Sequence, residues 1–248
     1  MKWSFSASNT FIAADKARNK CTRHTVKLII FDFDGTLVDS RSLIWESHRI
    51  IFSDFRLPPP SPVESIALVG KTLDLILTQL AGPTAPIRDM VKAYDLLLPQ
   101  LRADPAFAEK PFDGISDLLH DLSSSPNAVL GMATGHTSLT VAPALAALQW
   151  HGLFRTIQAA DMAPSKPHPA MLLQALEATG IEPENAIFVG DTTYDMEMAH
   201  SARVQSIGVD WGYHGAGLLS AAGAHRVATT VEELKGYLRL ALIEGTDF

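Results

Sequence analysis

Two acids, Asp32 and Asp34, directly follow the apolar run 26–31 and are the first residues of this sequence that could do chemistry. The run is rich in β-branched and aromatic residues, which predicts a buried strand of a parallel sheet. An ionised carboxylate at the end of such a strand is costly unless a metal, a cation or hydrogen bonds compensate its charge. We therefore expect a charged site at the carboxyl edge of the sheet, where open α/β sheets bind ligands.

The two carboxylates can take different roles in a substitution reaction. Asp32 can act as a nucleophile, because a carboxylate that attacks phosphorus forms an acyl phosphate and divides one hard displacement into two easier ones. Asp34 lies two residues further along an extended chain, on the same side. It can therefore protonate a leaving alkoxide and then accept a proton from the attacking water.

Two further candidates could bind a phosphoryl group. Thr134 follows the predicted strand 128–133, and its hydroxyl, the backbone N–H of Gly135 and the start of the next helix can hold phosphoryl oxygens. A helix N-cap is the alternative role for Thr134. Lys166 begins a Lys-Pro-His-Pro segment, and its ammonium can neutralise charge on the nucleophile and the phosphoryl group. We expect His168 to lie in the first turn of the following helix without a catalytic role.

A second pair of acids follows another predicted strand. Asp191 comes directly after the apolar run 186–190, and Asp195 stands four residues later. The hard cation Mg²⁺ prefers carboxylate oxygens, waters and substrate phosphate, so Asp191 is a candidate metal ligand. Asp195 has two functional roles that the sequence does not separate: a metal ligand, or a residue that orients Lys166 or a bound water. An ordinary acid in the first turn of a helix is the third alternative.

These stretches together resemble the haloacid dehalogenase-like (HAD) superfamily in its phosphatase branch. The segment DFDGTLVDS, which begins at Asp32, matches the first motif of the family. The residues that match its second, third and fourth motifs are, in chain order, Thr134, Lys166, and Asp191 with Asp195. The resemblance extends from Lys27 to about Leu240 and implies a nucleophilic Asp32 and an acid–base Asp34.

The resemblance also implies a metal and a subgroup. It implies a Mg²⁺ ion held by the carboxylates of Asp32 and Asp191 and by the backbone carbonyl of Asp34. The subgroup is phosphoglycolate phosphatase-like, with a helical cap of the first type inserted after the first motif. In this cap type Gly70 and Lys71 stand where members place a specificity loop. Lys71 could meet a substrate carboxylate or phosphate, or be a solvated surface lysine.

The order of predicted elements supports an α/β fold. Strand–helix units repeat from residue 112 onward, which predicts a parallel sheet covered by helices on both faces. We expect a Rossmann-like core of residues 26–39 and 112–248 with an inserted all-helical cap of residues 40–111. The expected helices of the cap are 41–55, 63–80 with an interruption at Gly70, and 85–101. Residues 211–215, after a strand at 205–209, either pack near the site or form an ordinary glycine-rich loop.

Composition limits the partners and the compartment. The net charge of −7 provides no basic field for nucleic acid or for an anionic membrane surface. The single cysteine, Cys21, excludes an intrachain disulfide and a cysteine-based zinc site. No apolar stretch approaches the roughly 20 residues that span a bilayer, and residues 1–25 lack a continuous apolar signal region. We expect a cytoplasmic monomer or homodimer with a loosely ordered N-terminal extension; a targeting segment is the alternative for residues 1–25.

The expected function is Mg²⁺-dependent hydrolysis of a small phosphomonoester, phosphoglycolate-like or a sugar phosphate, through an aspartyl-phosphate. The first alternative is a phosphomutase or another phosphotransferase of the same fold, similar to β-phosphoglucomutase, in which a substrate hydroxyl replaces water. The second is a non-catalytic binding module, against which the complete set of acids and Lys166 argues. Lys71 and Lys92 keep phosphonatase chemistry as a further alternative.

Overall fold

The computed structural model describes residues 26–244, which contain a six-stranded sheet with helices on both faces. The strands, in spatial order, are β5 (Thr156–Gln158), β4 (Ala128–Ala133), β1 (Lys27–Phe31), β6 (Ala186–Gly190), β7 (Gln205–Val209) and β8 (Arg226–Ala228). Every neighbouring pair is parallel. The predicted α/β class and parallel sheet are therefore confirmed. The expected extension of residues 1–25 lies outside the described residues.

Strand β1 occupies the centre of the sheet, between β4 and β6. Leu28 and Ile30 belong to the apolar cluster on one face, whereas Ile29 and Phe31 belong to the cluster on the other. All five residues of the strand are buried. A strand covered on both faces requires apolar side chains at successive positions, which explains the continuous run in the sequence.

Six helices accompany the strands of the core. They are α5 (Ile115–Ser123), α6 (Ser138–Ala147), α7 (Ala170–Thr179), α8 (Thr193–Ala202), α9 (Ala216–Ala221) and α10 (Val231–Glu244). A short 3-10 helix, Pro183–Asn185, precedes β6. None of the helices in the described part of the chain is both long and apolar enough to cross a bilayer.

Between β1 and α5 the chain forms a helical insertion. Its helices are α1 (Arg41–Asp54), α2 (Pro62–Ile66), α3 (Leu73–Ala81) and α4 (Ile87–Arg102). The chain leaves the core through β2 (Val38–Asp39) and returns through β3 (Lys110–Pro111), and these two short strands pair antiparallel. The insertion has an apolar cluster of its own, whose buried members are Leu43, Ile51, Phe52, Leu77, Met90, Tyr94 and Leu98.

One predicted helix differs from the structure. The segment 63–80 forms two separate helices, α2 and α3, joined by residues 67–72. Gly70, where an interruption was expected, has φ +101°, which an α-helix cannot contain. Val69 and Lys71 on either side of it form an isolated β-bridge, so this stretch is a loop.

Candidate active site

Three neighbouring strands bring the candidate residues together. Asp32, Thr134 and Asp191 each come directly after the last residue of β1, β4 and β6, and these strands are adjacent in the sheet. All three side chains are buried. The carboxyl ends of parallel strands meet at one edge, so the spacing of the motifs in the sequence becomes proximity in space.

Lys166 lies between two of the carboxylates. Its Nζ is 2.7 Å from Oδ1 of Asp32 and 2.8 Å from Oδ1 of Asp195. The loop between β5 and α7 carries Lys166, and its side chain is fully buried. A buried ammonium with two carboxylate partners is compensated, and it fixes the position of both carboxylates.

Asp195 is held by Thr192 as well as by Lys166. Its Oδ2 accepts hydrogen bonds from the backbone N–H of Thr192, at 3.0 Å, and from the Thr192 hydroxyl, at 2.8 Å. The Thr192 hydroxyl in turn accepts from the Asp195 N–H, which completes a capping box at the start of α8. Asp195 is therefore positioned against Lys166, a contact that fits the orienting role among its alternatives.

The carboxylates near Lys166 carry more charge than it can neutralise. Asp32, Asp191 and Asp195 have ligand oxygens within 4.8 Å of one another. Burial raises the pKa of Asp32 to about 7, with Lys166 acting against this and Asp195 adding to it. Burial, with repulsion from Asp195 and Asp32, also raises the pKa of Asp191 well above its usual value. When all are ionised, three carboxylates against one ammonium leave two negative charges.

A divalent cation fits this cluster. Its donors are carboxylate oxygens, which suit the hard ion Mg²⁺, and its two uncompensated charges match the charge of the ion. A second group of possible metal ligands among the described residues comprises Asp34, Glu109 and His136. That group already has a cation, because Arg102 Nε lies 2.7 Å from Glu109 Oε2. The cluster around Asp32 is therefore the better metal site.

Asp34 has a partner that the sequence analysis missed. His136 Nε2 lies 2.9 Å from Asp34 Oδ2, and both side chains are largely buried. Burial opposes ionisation of Asp34, but the adjacent imidazole lowers its pKa below the usual value. One feature of the sequence could have indicated this contact. His136 stands two residues after Thr134, in the loop that follows β4, and β4 is adjacent to β1.

Thr134 is not a helix N-cap. Helix α6 begins at Ser138 with Thr137 as its N-cap. The Thr134 hydroxyl instead accepts the N–H of His136 at 3.2 Å, within the loop above β4. His168 also differs slightly from expectation, because it is exposed and precedes the first residue of α7 by two positions.

The loop between α2 and α3 lies directly on the core. A Cβ at Gly135 would stand 2.7 Å from the carbonyl oxygen of Lys71, and a Cβ at Gly70 would stand 2.9 Å from Oγ1 of Thr192. Real Cβ atoms do not approach other atoms this closely. The two glycines therefore permit the insertion to contact the loops that hold the candidate residues, and both line a cavity of about 40 Å³ with Asp32 and Asp34.

Residues 211–215 pack at the site. The Tyr213 N–H donates to Oδ2 of Asp191 at 2.8 Å, and the Thr36 hydroxyl donates to Oδ1 at 2.8 Å. A Cβ at Gly212 would overlap the Asp191 carboxylate. Of the two expectations for this segment, the one that places it near the site is confirmed.

Comparison with known proteins decides the family. A sequence model of the haloacid dehalogenase-like hydrolases matches residues 29–209. The chain belongs to this family. A relative named as a probable phosphatase, IndB, from Dickeya dadantii is 33% identical over 218 residues, covering 84% of this chain and 92% of the relative. A phosphoglycolate phosphatase from Agrobacterium fabrum is 30% identical over 190 residues, covering 75% and 81%.

A solved structure agrees with this assignment. A haloacid dehalogenase-like hydrolase from Streptococcus pneumoniae has a TM-score of 0.74 and 27% identity, over 86% of this chain and 98% of that one. The resemblance inferred from the motifs is therefore confirmed. The carboxyl edge of the sheet thus brings together Asp32, Thr134 and Asp191, and Lys166 contacts Asp32. Gly70 and Lys71 of the insertion line a cavity together with Asp32.

Proposed function

We propose that this protein is a Mg²⁺-dependent phosphatase that hydrolyses a small phosphomonoester through an aspartyl-phosphate on Asp32. The observation that carries the proposal is the buried contact of 2.7 Å between Asp32 and Lys166, within a cluster of three carboxylates that suits a divalent cation. Membership of the hydrolase family and similarity to proteins named as phosphatases support it.

One carboxylate oxygen of Asp32, Oδ1, already has two partners. Oδ1 accepts the Phe33 N–H at 2.7 Å and contacts Lys166, which holds this oxygen in place. The proposed nucleophile is therefore Oδ2. A fixed carboxylate reacts faster because the entropy of orienting it is already lost in the folded protein.

The remaining residues act on charge and protons. Lys166, the Thr134 hydroxyl and the Gly135 N–H would hold phosphoryl oxygens, and Lys166 would offset their charge in the transition state. In its protonated form Asp34 would donate a proton to the leaving alkoxide, and the carboxylate left behind would later take a proton from water, with His136 holding it in place.

The metal would complete the charge balance. The Asp32 and Asp191 carboxylates and the Asp34 backbone carbonyl would hold Mg²⁺, which supplies positive charge to the phosphoryl oxygens when bound. Asp195 would orient Lys166. The helical insertion would act as a cap that excludes water during reaction and opens for product release, with residues 69–71 as its contact to the site.

Phosphate release from a panel of esters tests this proposal. The panel contains phosphoglycolate, sugar phosphates, nucleotides and pyrophosphate, each assayed with Mg²⁺ and with EDTA. We expect Mg²⁺-dependent release from small monoesters and its loss in Asp32→Asn, but not in the exposed control Asp113→Asn. Release at the wild-type rate by Asp32→Asn would show that Asp32 is not the nucleophile. Isomerisation of hexose phosphates without net release would identify a mutase instead.

A further inference from the structure

His48 is a buried polar residue that the proposed chemistry does not use. It lies on α1, its side chain is 1% exposed, and its Nδ1 has no hydrogen-bond partner. His48 lines the same cavity as Asp32 and Asp34. A buried nitrogen without a partner is unfavourable, so a hydrogen-bonding group of a molecule in this cavity would stabilise it.

The cavity wall around His48 is apolar. The apolar side chains that the insertion contributes to the wall are Ile44, Val69, Leu73 and Ile76. The Tyr94 ring also lines the cavity, with its centroid 6.0 Å from that of His48. These side chains favour carbon and hydrogen atoms of a ligand, and the imidazole of His48 offers a polar contact among them.

The cavity offers little positive charge to the organic part of a substrate. Burial lowers the pKa of His48 to about 4, so its ring is neutral near pH 7 and provides one donor and one acceptor. The ammonium of Lys71 lies 4.7 Å from the Tyr194 ring centroid and donates to Gln79 at 3.3 Å. Asp34 Oδ1 is buried in the same wall without a partner, which disfavours a second carboxylate.

We propose that the organic part of the substrate is a short, uncharged alcohol whose second oxygen hydrogen-bonds to His48. The substrate class is the monophosphate of a small diol or polyol, and not a carboxylate such as phosphoglycolate. The inference rests on the proposed function, since it places the phosphoryl group at Asp32 and the organic part toward α1.

Three esters of nearly equal size test this class on the wild-type protein with Mg²⁺. They are 2-hydroxyethyl phosphate, ethyl phosphate and phosphoglycolate, which carry a hydroxyl, no polar group and a carboxylate. We expect kcat/KM to be highest for the hydroxyl compound, about tenfold above ethyl phosphate, because a hydrogen bond to His48 is lost with the latter. We expect phosphoglycolate to be at least tenfold below the hydroxyl compound.

Variants assign the preference to the imidazole. In His48→Leu the ratio between 2-hydroxyethyl and ethyl phosphate should fall to about one, because leucine fills the space without a donor or acceptor. His48→Asn should retain part of the ratio, because its amide keeps a polar group near the Nδ1 position. Thermal unfolding shows whether each variant is folded. If His48→Leu is unfolded, the ratios of kcat/KM among the three esters on the wild-type protein still decide the substrate class.

The outcomes separate the two proposals. A preference for phosphoglycolate that Lys71→Gln abolishes would overturn the inference and assign the carboxylate to Lys71, while leaving the phosphatase proposal intact. Equal rates for the hydroxyl and ethyl esters would also overturn it. Release of phosphate from none of the three esters would overturn the inference alone, whereas release from none of these and none of the wider panel would overturn the proposed function as well.

Discussion

His136 Nε2 and Asp34 Oδ2 are 2.9 Å apart beneath the helical insertion. The contact lowers the pKa of Asp34, although burial acts in the opposite direction. The lowered pKa favours the ionised carboxylate of Asp34, which is the form that the proposed proton transfer from water requires, and His136 comes from the loop after the adjacent strand β4. We therefore propose His136 as a positioning residue for Asp34.

Removal of the imidazole should change both rate and pH dependence. In His136→Leu the pKa of Asp34 rises. Where hydrolysis of the aspartyl-phosphate limits kcat, Asp34 must be ionised to accept a proton from water, so the acidic limb of the kcat profile should move to higher pH. We expect kcat to fall by about 10- to 100-fold and by less in His136→Gln, which keeps a donor. Measurement of kcat from pH 5 to 9 for both variants checks this, and an unmoved acidic limb in His136→Leu would contradict the role.

Arg102 joins the insertion to this pair. It ends α4, pairs with Glu109 through Nε at 2.7 Å, donates to the Thr140 carbonyl, and approaches His136 Nε2 at 3.4 Å. Arg102→Met should lower the free energy of unfolding by about 3–5 kcal/mol, because it leaves Glu109 buried and unpaired. Adding Glu109→Gln should restore much of this loss.

Chemical denaturation measures the Arg102 effect. Arg88→Met is the matched control, because Arg88 is an exposed residue on the same helix and should change stability by less than about 0.5 kcal/mol. An equal loss in the free energy of unfolding in Arg102→Met and Arg88→Met would show that the contacts of Arg102 contribute no more to stability than an exposed arginine does.

Gly135→Ala should disturb the contact between the insertion and the core. The added Cβ would stand 2.7 Å from the Lys71 carbonyl oxygen, so the loop 67–72 must move away. We expect kcat/KM to fall by about 10-fold or more, because small displacements of a positioned site are costly, with little change in Tm. Gly217→Ala, where a Cβ meets open space, is the control that should keep full activity. An active Gly135→Ala would refute the importance of this contact.

Asp191→Asn should stabilise the metal-free protein while abolishing its response to Mg²⁺. The raised pKa of Asp191 means that the folded state binds a proton more tightly than the unfolded state, so its stability is lost as pH rises through the folded pKa. An asparagine removes that loss, roughly 1–3 kcal/mol near pH 8. Its amide can still accept the Tyr213 N–H and donate to the Thr36 hydroxyl.

Thermal unfolding with EDTA and with Mg²⁺ checks the Asp191 prediction. Wild type should be less stable in EDTA at pH 8 than at pH 6, and Mg²⁺ should raise its Tm at pH 8. Asp191→Asn should show a higher Tm in EDTA and no shift with Mg²⁺. A variant less stable than wild type in EDTA at pH 8 would contradict the inferred excess of negative charge.

The sheet and the residues after its strands could be predicted from local patterns. Strand β1 needs apolar residues at every position because both of its faces are covered, and Asp32 and Asp191 follow such runs directly. The loop around Gly70 was only partly predicted, because its apolar spacing continues a helical pattern while the backbone of Gly70 does not. A glycine is required at position 70 because the backbone there lies close to Thr192, and the sequence alone does not reveal this contact.

Tertiary contacts between distant segments could not be predicted. His136 and Asp34 are 102 positions apart in the chain and meet only because β4 and β1 are neighbours. His48 belongs to a helix whose apolar spacing gives no reason to single it out, and its unpaired nitrogen depends on the cavity that α1, α3 and α4 form with the core. Such features arise from packing and not from spacing along the sequence.

Trapping of the acyl phosphate at Asp32 tests the central claim most directly. The protein is mixed with Mg²⁺ and the best ester of the panel, quenched in acid and treated with borohydride, which reduces an acyl phosphate to an alcohol that peptide mass spectrometry can locate. The account predicts reduction at position 32 in wild type and none there in Asp32→Asn. Reduction at a different carboxylate, or undiminished phosphate release by Asp32→Asn, would contradict it.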